Sequence, residues 1–390
     1  MTQLLQQEYK DTTKVFAIKA TLVSDLRRKF EFIKNRNVND YHHAQDAFLV
    51  AFLGTNITSN YPKIEMEYLF KGYQHYLNEV GKSAAKPKFT FIVENLSKQQ
   101  YNSTTGEVKW NPEVDIAKLK RILNFKQCNI VRKVEEQSGA LFKETIYPVE
   151  ESSSKTIPLK KHLDTAIYGG YTAVNYASYA LIQFKKGRKL KREIIGIPLA
   201  VQTRIDNSET SLQAYIAEQI KSEVEILNGR ILKYQLISNN GNRLYIAGPS
   251  ERHNARQLIV SDKAAKVIWL ISTKQADEAT FLKYYRLEHL EAVFEELIRK
   301  QAADYQIFEK LIKKIEVNKV YFYSCTYNEK VKVIEELLKI TQANATNGDL
   351  KLLKMSNREG RLGSVSVALD FKIINQSVTG LYQSIEDYNN

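Results

Sequence analysis

The chain is poor in cysteine, methionine, tryptophan and proline, with 2, 3, 2 and 7 of them in 390 residues. Cys128 and Cys325 stand far apart, which excludes a disulfide framework and a paired-cysteine zinc pattern and fits a reducing compartment. No apolar run reaches the roughly 18 residues of a membrane span, and residues 1–8 lack the charged start and apolar stretch of a secretory signal. The expectation is a cytoplasmic protein that meets no membrane. Glycine-rich phosphate loops, internal repeats and low-complexity tracts are also lacking. What is present is a 43% apolar fraction, enough for two or three domains with cores, and an excess of 57 Lys and Arg over 44 Asp and Glu, a net charge of +13. That balance points to nucleic acid as partner, against the alternative of basicity for solubility alone.

The cations are clustered. Arg27, Arg28 and Lys29 stand close to Lys34 and Arg36. Lys118, Lys120, Arg121 and Lys126 form a second group, Arg132 and Lys133 a third, and the run from Lys185 to Arg192 is the densest. Each group could hold phosphates through counterion release, and the 185–192 run has the form of a hairpin tip. The 23 Tyr residues could stack bases, although most serve a core.

The segment from Asn39 to Ala51 reads as a helix with Asn39 or Asp40 as N-cap. His43 and Asp46, three residues apart, share one face of it. Ala44, Ala47, Phe48, Val50, Ala51, Phe52 and Leu53 occupy the others, which predicts burial all round. A buried carboxylate must be satisfied, and a metal ion is one candidate for that role, a structural hydrogen bond the other. One imidazole and one carboxylate do not close a metal site, so further ligands would come from elsewhere.

Along the chain the patterns predict a mixed α/β protein. A strand is expected over 14–20 and a helix over 21–35, followed directly by the helix that opens at Asn39 or Asp40. Helices are also expected over 64–80 and 114–123, around a short strand at 106–110 and an alternating segment at 129–135. A polar break falls at 150–154. Beyond it, 171–184 and 192–201 read as strands and 211–227 as a helix. Residues 231–236 and 243–247 form a hairpin across Asn239, Asn240, Gly241 and Asn242. Helices over 280–302, 305–317 and 328–341 precede a β-rich end at 350–382.

These residues also carry a resemblance. Tyr41-His42-His43-Ala44-Gln45-Asp46-Ala47 is similar to the third RuvC-like segment of the type II CRISPR-associated RNA-guided DNA endonucleases (the Cas-nine family), with Leu22-Val23-Ser24-Asp25 upstream. Downstream, in the family's order, follow Gly54-Thr55 with Tyr61-Pro62-Lys63, then Gly106-Glu107-Val108-Lys109-Trp110 and Asn129-Ile130-Val131-Arg132-Lys133. Lys143-Glu144-Thr145, Tyr168-Gly169-Gly170, and the terminal Gln376-Ser377, Thr379-Gly380-Leu381-Tyr382 complete the series.

The resemblance implies an incomplete RNase H-like RuvC domain over 1–134, followed by a β-rich PAM-interacting domain with helical insertions over 135–390. It implies a Mg²⁺-dependent endodeoxyribonuclease that cuts the non-target strand in defence against phage and plasmid DNA, with the guide-directed mechanism taken from the family itself. His43 is then the general base and, with Asp46, faces a two-metal site whose other carboxylates are absent from this chain. Lys143, Glu144 and Thr145 correspond to the phosphate-lock loop. Arg361 corresponds to a guanine-reading arginine, while Glu359 stands where a second such arginine is found. Arg358 beside it reads a neighbouring base, grips phosphate, or is a turn charge. Lys34, Arg36, Arg132 and Lys133 are candidates for backbone binding. Gln45 stands where relatives often carry His. The implied partners are the PAM duplex of target DNA, a guide RNA and the remaining N-terminal part of the nuclease; the chain alone binds DNA without cutting. The alternative is a freestanding duplex-DNA-binding module.

Overall fold

A computed structural model describes residues 2–12, 15, 17–61, 90–126, 129–142, 156–158, 160, 162–304, 309–341, 348–356 and 366–388. The chain divides into two compact units, Met1–Cys128 and Asn129–Asn390.

In the first unit, α1 (Thr2–Glu8) precedes α2 (Ala20–Phe30), which buries Leu22, Val23, Leu26 and Arg27 on one face. Glu31 ends α2 in the left-handed region at φ 56°, and the Phe32 N–H bonds back to the Arg27 carbonyl at 2.9 Å. The reversal drops Phe32 into the core, so the helix stops well short of the expected residue 35. Residues 17–19 are irregular rather than a strand.

Next comes α3 (Tyr41–Asn60), which buries His42, Leu49, Leu53, Gly54 and Ile57. Its start uses both expected residues: Asn39 Oδ1 accepts the Tyr41 N–H at 3.2 Å, and the Asp40 carbonyl accepts the His43 N–H at 3.0 Å. The all-round burial expected of this helix does not occur, because Ala44, Ala47, Val50 and Ala51 are exposed and only one stripe faces the core. α4 (Thr90–Asn95), the pair β1 (Gln100–Tyr101) and β2 (Val108–Trp110), and α5 (Pro112–Leu123) complete the unit. Leu26, Leu49, Leu53, Ile57, Ile92 and Leu96 are fully buried together, each contributing roughly 1.5–3 kcal/mol. At the start of α5, Asn111 Oδ1 accepts the Glu113 N–H and Asp115 accepts the Asn111 N–H, a reciprocal cap before Pro112. The helix expected over 64–80 lies outside the described residues.

The second unit opens with α6 (Thr165–Tyr168) and a long antiparallel hairpin, β3 (Tyr176–Lys186) with β4 (Lys189–Pro198). α7 (Leu199–Asp206) and α8 (Leu212–Gln219) lead to β5 (Val224–Ile231), which joins the other edge of β3. The helix expected over 211–227 therefore ends early. Ser211 caps it as its Oγ accepts the Ala214 N–H, but pairing of Val224 with Phe184 takes the later residues into the sheet.

β6 (Leu236–Asn239) and β7 (Asn242–Ile246) form a hairpin whose two-residue loop, Asn240 and Gly241, has φ of 51° and 77°, the mirror-image turn that Asn-Gly favours. With β8 (Arg252–Asn254), β9 (Phe371–Gln376) and β10 (Gln383–Asp387) they make a five-stranded sheet, ordered β10-β9-β6-β7-β8. The middle of β3 is buried on both faces. Tyr179 and Leu181 pack with Ile237, Leu244, Ile246, Phe371 and Ile373, whereas Ala180 and Ile182 pack against Ile216 of α8. Gly196 of β4 leaves room for the Tyr176 ring, since a Cβ there would lie 2.4 Å from it.

A helical group lies between β8 and β9. α9 (Asp262–Ile268) runs into a π turn at Trp269–Thr273, closed by the Lys274 N–H on the Trp269 carbonyl at 3.1 Å. α10 (Glu278–Leu282), α11 (Glu288–Asp304), α12 (Glu309–Tyr323) and α13 (Tyr327–Thr341) follow, with Phe294 stacked on Phe322 at 3.9 Å. The helix expected over 280–302 is thus two helices. Among the described residues no helix is long and apolar enough to cross a membrane.

Candidate functional site

Asp46 sits in the second turn of α3, and two cations meet it. Arg27, from the last turn of α2, places Nε and Nη2 at 2.9 and 2.8 Å from Oδ1. Lys34, from the turn between α2 and α3, places Nζ on Oδ2. The early end of α2 makes this possible, because Glu31 turns the chain so that Lys34 comes back over the helix start. Arg27 Nη1 also donates to the carbonyls of Phe32 and Ile33 at 3.3 and 3.1 Å, and Nη2 to Gln45 Oε1 at 3.4 Å. Gln45 in turn donates to the Leu123 carbonyl at 2.8 Å. Burial pushes the Asp46 carboxyl up, but the Lys34 hydrogen bond and the charge of Arg27 outweigh it and hold the group below the ordinary carboxylate value. The demand for a partner to this carboxylate is met within the chain by cations rather than by His43.

His43 is exposed at the helix start, its ring 4.1 Å from that of the buried His42. His42 Nδ1 lies 3.0 Å from the Asn39 carbonyl, and burial, against that bond, lowers its pKa. Donor atoms of Asp40, His42 and His43 lie within 4.8 Å of one another, a mixed carboxylate and imidazole set able to take a metal ion. Asp46 is not part of that group.

The other cations have different fates. Arg36 is exposed in the α2–α3 turn. Arg132 lies over the Tyr234 ring, 3.4 Å from its centroid, with Nη1 3.5 Å from His253 Nδ1, and Lys133 is exposed. Lys185 to Lys191 are exposed around the β3–β4 turn. Arg192 is not available to phosphate: 6% exposed, it donates Nε to Gln183 at 2.8 Å and its two Nη groups to the carbonyls of Leu369 and Tyr388. Lys143, Glu144, Thr145, Arg358 and Arg361 lie outside the described residues.

Sequence reasoning placed Arg27 in a basic run, where it looks like surface charge, gave Asp40 only a capping role and assigned no role to His42. Helical spacing was the signal for Arg27, since it falls one residue after Leu26 on the buried face of α2.

Residues 1–135 match the sequence profile of the Cas9 RuvC domain, and residues 138–384 that of the PAM-interacting domain of CRISPR-associated endonuclease Cas9. The chain is 28% identical over 397 residues to the CRISPR-associated endonuclease Cas9 of Streptococcus mutans serotype c (strain ATCC 700610 / UA159), an alignment covering 96% of this chain and 29% of that protein. It is 26% identical over 383 residues to that of Listeria innocua serovar 6a (strain ATCC BAA-680 / CLIP 11262), covering 95% of this chain and 28% of that protein. The chain therefore spans less than a third of the length of these curated relatives. With both profiles matched in succession over nearly all of its residues, the chain belongs to the CRISPR-associated endonuclease Cas9 family.

Proposed function

We propose that this chain is the RuvC and PAM-interacting part of an RNA-guided DNA endonuclease, supplying a portion of the site that cuts the non-target strand and the surface that reads the PAM duplex. The observation that carries the reading is Asp46, a half-buried carboxylate within the residues that match the RuvC profile, with one oxygen held by the Lys34 ammonium. Its chemistry fits Mg²⁺, which prefers hard oxygen ligands, but one carboxylate cannot complete the site, and the rest must come from outside this chain. When bound, two ions would stabilise the attacking and leaving oxygens of phosphodiester cleavage.

His43, exposed beside Asp46 on α3, takes the proton of the attacking water at a ring nitrogen. Lys143, Glu144 and Thr145 hold the target-strand phosphate next to the PAM. Arg361 reads a guanine through its fork, and Arg358 a neighbouring base or phosphate. Arg36, Arg132 and Lys133 contact the nucleic-acid backbone, and Lys34, held by Asp46 in the free chain, joins them only when released from that carboxylate. Guide RNA and the N-terminal part of the nuclease are the remaining partners. The chain alone binds DNA without cutting, and the whole works in the cytoplasm against phage and plasmid DNA.

The test is reconstitution with the N-terminal part and a guide RNA, against a plasmid library carrying randomised PAMs. Non-target-strand cutting that Asp46→Ala abolishes supports the reading, and Arg361→Ala should alter the preferred PAM. Intact plasmid despite a formed complex would instead favour a freestanding duplex-binding module.

A further inference from the structure

The two cations on Asp46 are not equivalent. Arg27 is 8% exposed and has anchors that do not depend on Asp46: the carbonyls of Phe32 and Ile33 and the Gln45 side chain. Its guanidinium is planar, permanently charged and fixed in direction. Lys34 is 24% exposed, sits on a flexible four-carbon stem, and bonds the other carboxylate oxygen. A divalent ion placed on Oδ2 would meet the ammonium at close range, where like charges repel at a partly dry site.

We infer that Lys34 is a stand-in cation, holding Asp46 Oδ2 until a metal ion displaces it, and that Arg27 is a permanent positioning residue that presents that oxygen. This rests on the proposal that Asp46 is a metal ligand. The consequence is a competition built into the chain. Metal affinity is reduced by the fraction of molecules in which Lys34 occupies the oxygen. Arg27, by contrast, fixes the Asp46 rotamer as an outer hydrogen-bond partner fixes a ligand.

Charge and positioning then predict opposite signs for two substitutions. Lys34→Met removes the competitor and should tighten metal binding at least threefold. Arg27→Lys keeps the charge but loses the fork, and should weaken it by tenfold or more. The experiment is Mn²⁺ binding, followed by the EPR signal of free Mn²⁺, in the complete nuclease loaded with guide RNA and without DNA, alongside a thermal melt of each variant. Binding that is unchanged or weaker in Lys34→Met, while Asp46→Ala loses one Mn²⁺ equivalent, overturns the stand-in role. Unchanged binding in a folded Arg27→Lys overturns the positioning role. Full Mn²⁺ binding in Asp46→Ala overturns the underlying metal assignment instead.

Discussion

The two units bury arginine in different ways. In the first, Arg27 faces a carboxylate that keeps 29% of its surface open and has a lysine on its far oxygen. In the second, Arg192 and Arg252 are enclosed by neutral backbone: Arg192 by the carbonyls of Leu369 and Tyr388, Arg252 by those of Gly248, Pro249 and Glu251 at 2.6 to 3.1 Å. Burial, partly offset by Tyr179 and Glu251, lowers the Arg252 pKa to about 10, so the group stays charged at neutral pH. A carbonyl cage holds no hydrogen-bonded carboxylate to trade, whereas a half-open ion pair does. The second unit spends its buried arginines on holding strands and turns together; the first keeps a charge that can change partner.

The sharpest break in this comparison should come from Arg192→Met. It orphans two carbonyls and Gln183 and unties the strand ends, and should destabilise the second unit by about 3–5 kcal/mol. Urea unfolding followed through Trp269, with Trp110 replaced by Phe, isolates that unit, because the chain has 2 Trp and these divide between the units. Arg252→Lys should cost about 2 kcal/mol in the same assay, since an ammonium cannot reach three carbonyls in a fork arrangement.

In the first unit, Asp46→Asn should cost only about 1 kcal/mol, read through Trp110, because Asn still accepts from Arg27 and Arg27 keeps its other anchors. A loss as large as that of Arg192→Met would erase the distinction drawn here. The smallest effect is on pH. The folded Asp46 pKa is depressed, so its contribution is present above the ordinary value of 3.8 and fades as pH falls through the folded value. The gap between parent and Asp46→Asn should therefore close there. His253, lowered mainly by burial although Glu251 opposes it, costs the second unit stability as pH falls below 6.5, because the unfolded chain takes the proton first. His253→Asn should remove that loss.

Much of the architecture was legible where a local rule suffices. The Asn39 and Asp40 start of α3, the Asn-Gly hairpin of β6 and β7, and the basic β3–β4 tip follow from capping and turn chemistry. The failures share a different cause. Glu31 adopts a left-handed conformation that no glycine signals, and it is this turn that brings Lys34 to Asp46. Val224 to Ile226 keep helical spacing yet pair with β3, because a central strand needs a partner on its open edge. Arg192 reads as the last of six cations between Lys185 and Arg192 but alternates inward on β4. In each, the deciding neighbour is distant in sequence. The His43 and Asp46 pair was visible as spacing, but the two cations that define its electrostatics were not, since neither lies on the same helix.

The π turn at Trp269–Thr273 also bears on how this family can vary in length. It accommodates one more residue than an α-helical turn while keeping Leu270 and Ile271 buried. Loss of one residue there would restore a regular helical turn, and the non-helical residues 274–277 that follow would absorb the shift before the next helix at Glu278. The same loss within Glu288–Asp304 would rotate every following side chain by about 100° and expose the stripe that meets its neighbours. Single-residue alignment gaps among relatives should therefore collect at this turn and avoid Glu288–Asp304.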